Sequence, residues 1–64
     1  MPIITLEGPR IEDMDKRRVF VRALTEAAVQ AYDLPASTMI VILHEVPQEC
    51  VGSGGELISD RPAP

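Results

Sequence analysis

The run Met39-Ile40-Val41-Ile42-Leu43 decides the fold of this chain, because it is apolar without interruption. Successive side chains of a strand point to opposite faces, so a strand with one solvent-exposed face alternates apolar and polar residues. A run that is apolar on both faces is typical of a strand covered on both sides, as in a parallel sheet. The sequence therefore predicts a central strand here, with protein packed against each face.

A first strand stands near the start of the chain. The segment from Pro2 to Glu7 is rich in the β-branched residues that favour strands, and Gly8-Pro9 ends it. A proline is tolerated at the first position of a strand, where its missing N–H does no harm.

A helix is predicted between the two strands. Asp13 is a typical N-cap, and the helix runs to about Tyr32. It ends at Asp33-Leu34-Pro35, because the residue before a proline is pushed out of the α region. Apolar residues recur at spacings of three and four and predict the packed face, formed by Phe20, Leu24, Ala28 and Ala31 and widened by Val21 and Ala27.

Strand, helix and strand form a βαβ unit with parallel strands and a right-handed crossover. Its single helix covers only one face of the sheet, so the other face is expected to meet another subunit. After Val46-Pro47 interrupts the second strand, Val51-Gly52-Ser53-Gly54-Gly55 reads as a glycine-rich turn. Glu56-Leu57-Ile58-Ser59 is expected to form a short strand, in a hairpin or in a neighbour's sheet. Residues 61–64 are expected to be a mobile tail.

Size and composition also indicate an oligomer. The 64 residues make one domain, 1–64, and a chain this short buries only about 60% of its unfolded surface. The single cysteine cannot form an internal disulfide, and Cys50 and His44 are the only soft or imidazole metal ligands. Metal ligands are thus too scarce for a structural metal, and oligomerisation is the remedy that remains.

The same features narrow the partners and the compartment. One thiol and no recognisable signal sequence indicate the cytoplasm. No apolar run approaches the roughly 20 residues that cross a bilayer. A net charge of −4 argues against nucleic acid, although a few arginines can still bind small anions.

Pro2 is a candidate general base. Removal of Met1 would expose a secondary amine, which is a better base than an amide and is held rigidly by its ring. In an apolar pocket its pKa would fall below the ordinary α-amino value of about 7.7–8.0. A base that titrates near neutral pH suits proton abstraction beside a carbonyl.

These segments together resemble the 4-oxalocrotonate tautomerase family. The resemblance rests on Pro2-Ile3-Ile4, the single long helix, Ile42-Leu43-His44-Glu45-Val46-Pro47 and Val51-Gly52-Ser53-Gly54-Gly55, and it runs to about Arg61. It implies an α+β fold, a βαβ subunit with a C-terminal β-hairpin, assembled as a hexamer of three dimers. It also implies a cofactor-free enzyme whose N-terminal proline moves a proton between enol and keto forms, with arginines binding the substrate's oxygens.

Carried over residue by residue, the resemblance makes Pro2 the catalytic base. Arg10 is the nearest counterpart of a substrate-binding arginine, although its loop differs in length. Ile40 stands where the family has a second arginine, and Val51 where it has an aromatic residue. Together with Leu6, these two would form apolar walls. Loss of an arginine removes a bidentate carboxylate partner, so the family's dicarboxylate is expected to be a poor substrate.

Other polar residues have structural explanations that compete with functional ones. His44 shares strand parity with Ile40 and faces either an interface or the pocket, or else it is a hydrogen-bonded structural residue. Glu45 is expected to be structural, and Cys50, beside Glu49, lacks a nearby base. Arg61 is expected either at the surface or as a second cation in the site of a neighbouring subunit. Arg17 and Arg18 are expected at the surface or at an interface. Gly52, Gly54 and Gly55 precede neither a lysine nor a helix, which excludes a phosphate loop and predicts hairpin glycines.

The sequence supports two alternative hypotheses about function, from different classes. The first is a cytoplasmic tautomerase of a small anionic 2-oxo or enol acid, with Pro2 as the base. The second is an oligomeric β-sheet protein that serves binding or scaffolding with little catalysis. Retention of Met1 would favour the second, because an acylated proline nitrogen has no usable lone pair.

Overall fold

The computed structural model describes residues 1–62 and shows a strand, a helix, a second strand and a small hairpin. The strands are β1 (Ile3–Gly8), β2 (Ile40–Glu45), β3 (Gly52–Ser53) and β4 (Glu56–Leu57), and the helix is α1 (Met14–Tyr32). Short 3₁₀ turns occupy Ala36–Thr38, Gln48–Cys50 and Ile58–Asp60. The predicted α+β fold, a βαβ unit with a C-terminal hairpin, is confirmed.

β1 and β2 pair in parallel, with Ile3 opposite Ile40 and Gly8 opposite Glu45. The helix α1 crosses one face of this two-stranded sheet. Alternate strand residues are half-buried beneath it, and the others lie on the opposite face. The half-buried set is Ile4, Leu6, Gly8, Val41 and Leu43. The fold is therefore two layers thick, with its packed apolar layer between sheet and helix.

Both helix ends are capped by aspartates. The Asp13 side chain accepts hydrogen bonds from the backbone N–H groups of Asp15, at 2.8 Å, and Lys16, at 3.4 Å. Asp33 adopts a left-handed conformation, with φ 55°, and donates its N–H to the Val29 carbonyl at 2.8 Å. The predicted bounds are confirmed, and the left-handed Asp33 is an additional cause of the stop, since it turns the chain away from the helix axis.

The packed face of α1 differs from the predicted stripe at two positions. Ala28 is buried, and Thr25 and Val29 are half-buried beside it, whereas Ala27 and Ala31 are exposed. Consecutive residues are about 100° apart around a helix, so Ala27 is turned well away from the sheet when Ala28 faces it. Ala31 falls in the last turn, next to the exposed Tyr32.

The face of the sheet opposite α1 is uncovered in the single subunit. It carries Ile3, Ile40 and Ile42, whose exposed fractions are 54%, 37% and 38%. We call this the open face; Thr5, Glu7 and His44 complete it. Within the subunit, the helix α1 covers one face of β2, as expected, and the other face is left uncovered.

Overall dimensions agree with an incomplete subunit. The radius of gyration is 15.0 Å, whereas a compact chain of this length has about 11 Å. The accessible surface is 5040 Å², against about 4,000 Å² for a compact monomer of this mass. The subunit alone is therefore more extended and more solvated than a self-sufficient domain.

The hairpin pairs Ser53 with Glu56 across a two-residue loop. Its loop residues Gly54 and Gly55 have φ of 62° and 83°, as in a primed turn, which is why glycine is needed there. The expected strand 56–59 is shorter than predicted, because the chain turns into 3₁₀ conformation at Ile58.

Arg61 is tied to the hairpin. Its guanidinium donates to Glu56 Oε1 at 3.0 Å and to the Ser53 carbonyl at 3.3 Å. The expected mobile tail therefore does not begin at Arg61. Its last residues, Ala63 and Pro64, lie outside the described part of the chain.

Candidate active site

Pro2 is fixed at the amino end of the sheet. Its carbonyl accepts a hydrogen bond from the Ile40 N–H at 3.0 Å, which continues the parallel ladder one residue beyond β1. The residue is half-buried, whereas Met1 is 81% exposed. In the full-length chain Met1 acylates the Pro2 nitrogen, so the nitrogen becomes a base only when Met1 is removed.

Ile40 is the immediate neighbour of Pro2 and lies on the open face. Its pairing partner Ile3 lies on the same face and is also exposed. The residues next to Pro2, Ile3 along the chain and Ile40 across the strand pair, are therefore both apolar. No arginine of the same strand pair stands beside it.

Leu6 lies on the other face of β1, in the half-buried layer beneath α1. A Cβ added at Gly8 would lie 3.7 Å from the Leu6 Cδ2 atom, so Leu6 packs alongside Gly8. Because strand residues alternate, Leu6 and Ile40 cannot line one pocket within a single subunit. The prediction that both form walls of the Pro2 pocket is not met by the isolated subunit.

Val51 lines a cavity of about 300 Å³ at the carboxyl ends of β1 and β2. The other lining residues come from the end of β1, the loop after β2 and the start of the last 3₁₀ turn: Glu7, Gly8, Pro9, Val46, Gln48 and Ile58. A backbone hydrogen bond from the Ile58 N–H to the Val51 carbonyl, 2.8 Å, joins its two sides. The cavity is mostly apolar, with Gln48 and Glu7 as its polar groups.

Arg10 lies near the same end of the sheet and is flanked by carboxylates. Its Nε is 3.4 Å from Glu12 Oε2, and its Nη1 is 3.9 Å from Glu45 Oε1. The Arg10 side chain is 58% exposed, so it remains accessible to a small anion.

Within one subunit the predicted site residues form two groups. Pro2 and Ile40 are at the amino ends of the parallel strands, and Arg10 and Val51 are at the carboxyl ends. Five residue steps of about 3.3 Å separate Ile3 from Gly8, so the two strand ends that carry these groups are about 16 Å apart. One small substrate cannot contact both groups in the same subunit.

Arg17 and Glu45 hold the loop before the helix against the end of β2. Arg17 donates to the Ile11 carbonyl from Nε, at 3.2 Å, and from Nη2, at 2.6 Å. Its Nη2 also donates to Glu45 Oε2 at 2.8 Å. The side chains of Arg17 and Glu45 are 21% and 31% exposed. This supports the structural reading of Glu45 and gives Arg17 a structural role in place of a free surface charge.

His44 and Glu7 are cross-strand partners on the open face, with Nδ1 3.6 Å from Glu7 Oε1. The shared parity of His44 and Ile40 is thus confirmed.

Cys50 is exposed and has no disulfide partner. Among residues 1–62 no three His, Cys, Asp or Glu side chains cluster as metal ligands would. None of the helices in the described part of the chain is long and apolar enough to span a membrane.

Sequence reasoning missed two features of this region. Glu12 was not singled out, yet it is the nearer of the two carboxylates paired with Arg10. Gln48 and Ile58 were likewise missed as cavity residues, because only the folded turns bring them beside Val51. The spacing of Arg10 and Glu12, two residues apart in a loop, was the one local signal available.

Comparisons with known proteins agree with this geometry. A family model described as tautomerase enzyme matches residues 2–61. The crystal structure of DmpI from Archaeoglobus fulgidus is 41% identical, covers 92% of this chain and all of its own, and superposes with a TM-score of 0.83. A 4-oxalocrotonate tautomerase homologue is 32% identical, covers 98% of this chain and all of its own, and has the same TM-score of 0.83.

A third solved structure is a heterohexamer 4-oxalocrotonate tautomerase from Chloroflexus aurantiacus J-10-fl. It is 25% identical, covers 94% of this chain and 97% of its own, and has a TM-score of 0.82. No curated protein matches the sequence significantly. Since the family model spans residues 2–61 and begins at Pro2, the chain belongs to the tautomerase family.

Proposed function

We propose that this protein is a cofactor-free tautomerase that moves a proton between the enol and keto forms of a small 2-oxo acid. Membership of the family supports a tautomerase-type activity. The observation that carries the finer proposal is the 3.0 Å hydrogen bond from Ile40 to the Pro2 carbonyl. It fixes the Pro2 carbonyl at the end of the parallel ladder and leaves the nitrogen outside that ladder.

In this mechanism Met1 is removed and the Pro2 amine acts as general base and then general acid. In ketonisation the neutral amine takes the enol O–H proton and delivers a proton to the α-carbon. In the reverse direction it takes a proton from the α-carbon and delivers a proton to the carbonyl oxygen. Apolar surroundings such as Ile40 and Ile3 favour the neutral amine over the charged one. Activity should therefore be lost as the pH falls and the amine becomes protonated.

The proposed site lies between subunits. Arg10 and Val51 are too far from Pro2 of their own chain, so they reach a substrate only at the Pro2 of a neighbouring copy. The open face with Ile3, Ile40 and Ile42 supports association, because it leaves apolar side chains in water. We take the assembly to be a hexamer of three dimers.

The proposed substrate is a small monoanion. Arg10 would bind its carboxylate, while Ile40 and Val51 would contact the carbon chain. Leu6 would act from the packed layer under the helix, by supporting β1. With Ile40 in place of an arginine, a second carboxylate finds no cation beside Pro2, so dicarboxylates are disfavoured. We place the reaction in the cytoplasm.

The direct test is Pro2→Ala, assayed by ultraviolet absorbance with enol forms of small 2-oxo acids. Alanine also permits removal of Met1, so the variant keeps an N-terminal amine but loses the ring. We expect turnover to fall at least tenfold with the assembly unchanged, as judged by light scattering after size-exclusion chromatography. Glu26→Gln is the control, since Glu26 is exposed on the helix, and turnover there should be unchanged.

The rival function is a binding or scaffolding oligomer with little catalysis. It is favoured by Ile40 and Val51, which stand where an arginine and an aromatic residue are expected. It predicts that Pro2→Ala leaves every measured property unchanged. Undiminished turnover in that variant would likewise exclude Pro2 as the base.

A further inference from the structure

We propose that Glu12 is a displaceable counterion of Arg10 that sets how tightly the proposed site binds a carboxylate. This inference rests on the proposed role of Arg10 and adds a specificity-determining residue to it. Its starting point is the pair of carboxylates that approach the Arg10 guanidinium from two directions, Glu12 at Nε and Glu45 at Nη1.

The geometry matters because a guanidinium binds a carboxylate best through two parallel N–H groups. The two edges that allow this are the Nε–Nη2 edge and the Nη1–Nη2 edge. Glu12 Oε2 lies 3.4 Å from Nε, an atom of the first edge, and Glu45 Oε1 lies 3.9 Å from Nη1, an atom of the second. A substrate carboxylate that binds the Nε–Nη2 edge must therefore compete with Glu12.

Of the two carboxylates near Arg10, Glu12 is the one that a ligand can displace. Its side chain is 84% exposed, so water solvates the carboxylate fully when it moves away. Glu45 is 31% exposed, and its other oxygen accepts a 2.8 Å hydrogen bond from Arg17, which is itself bound to the Ile11 carbonyl. Glu45 is therefore held in place by Arg17, while Glu12 is free to move away from the Nε atom of Arg10.

Glu12 makes no other side-chain hydrogen bond or ion pair in the described part of the chain. It precedes the helix cap Asp13, whose carboxylate already accepts the first free N–H groups of α1. Replacing Glu12 by glutamine keeps its size and removes only its charge. Exposed ion pairs are weak, so the expected gain in carboxylate affinity is about two- to fivefold.

The test is a propionate titration of the assembled protein with Met1 removed, followed by NMR at the arginine Nε–H groups. Wild type, Glu12→Gln and the control Glu26→Gln are compared, the control having the same change of net charge on the helix surface. We expect propionate to shift the Arg10 signal, and the dissociation constant to fall two- to fivefold in Glu12→Gln only. In turnover assays the same variant should lower KM and leave kcat unchanged.

Arg10→Gln, alone and combined with Glu12→Gln, completes the test. The gain in affinity must vanish in the double variant if it acts through Arg10. Equal dissociation constants in wild type and Glu12→Gln, an equal gain in Glu26→Gln, or no propionate shift at Arg10 would each overturn the proposal. Absence of turnover with the Arg10-dependent gain intact would instead contradict the proposed function, so the two failures are distinguishable.

Discussion

At the scale of single residues, the structure separates charges that hold the fold from charges that are free to act. Arg17 makes three hydrogen bonds, to the Ile11 carbonyl and Glu45, in a half-buried setting. Arg18, one position later, makes an exposed pair with Asp15 at 2.8 Å. Neighbouring arginines in one sequence pattern thus have different roles, because only Arg17 faces the end of β2.

Replacing Arg17 by methionine should lower the free energy of unfolding by about 1–2 kcal/mol. The change leaves the Ile11 carbonyl and the Glu45 carboxylate without their donors. Arg18→Met is the control and should cost less than about 0.5 kcal/mol, because its pair is exposed. Urea unfolding at one fixed protein concentration checks both, and equal losses would contradict the structural role given to Arg17.

At the scale of elements, the strands, the helix and the turn were predictable because each depends on local sequence. Asp13 as N-cap and the glycines at 54 and 55 are local signals of this kind. The left-handed Asp33 was not predicted, because aspartate only tolerates that conformation. The pairing of Arg17 with Glu45 joins residues 28 positions apart, so no local pattern reveals it.

The hairpin should depend on Gly55 and tolerate a change at Gly52. Gly55 has φ 83°, which an L-residue adopts only with strain, so Gly55→Ala should destabilise the protein by about 1 kcal/mol or more. A Cβ at Gly52 would lie 3.8 Å from the Glu56 carbonyl, an ordinary contact, so Gly52→Ala should cost little. Thermal unfolding of the two variants tests this, and an equal loss of stability would contradict the turn geometry.

At the scale of the whole molecule, the candidate site could be predicted only in part. Pro2, Ile40, Arg10 and Val51 are site residues proposed from the sequence, but their separation within one subunit was not predicted. Leu6 was placed with Ile40, although strand alternation puts them on opposite faces. The proposed approach of Arg10 to the Pro2 of another subunit depends on surfaces far apart along the chain, so no local sequence pattern predicts it.

The open face should control assembly. Ile42→Asp places a charge among Ile3, Ile40 and Ile42, where burial of an unpaired carboxylate is unfavourable. We expect the variant to dissociate into smaller species in light-scattering measurements. Leu34→Asp is the control, because Leu34 has a similar exposure, 41% against 38%, but lies in the loop after the helix. An Ile42→Asp protein with the wild-type mass would show that this face is not an interface.

The central claim is that the free amine of Pro2 is the base. The most direct measurement compares ketonisation rates of two proteins of equal assembly, with the N-termini verified by intact mass. One has lost Met1 and begins at Pro2; the other has a glutamate inserted before Pro2, so that the proline nitrogen stays acylated. The account predicts turnover by the first protein and a loss of at least about a hundredfold in the second. Equal rates would contradict it.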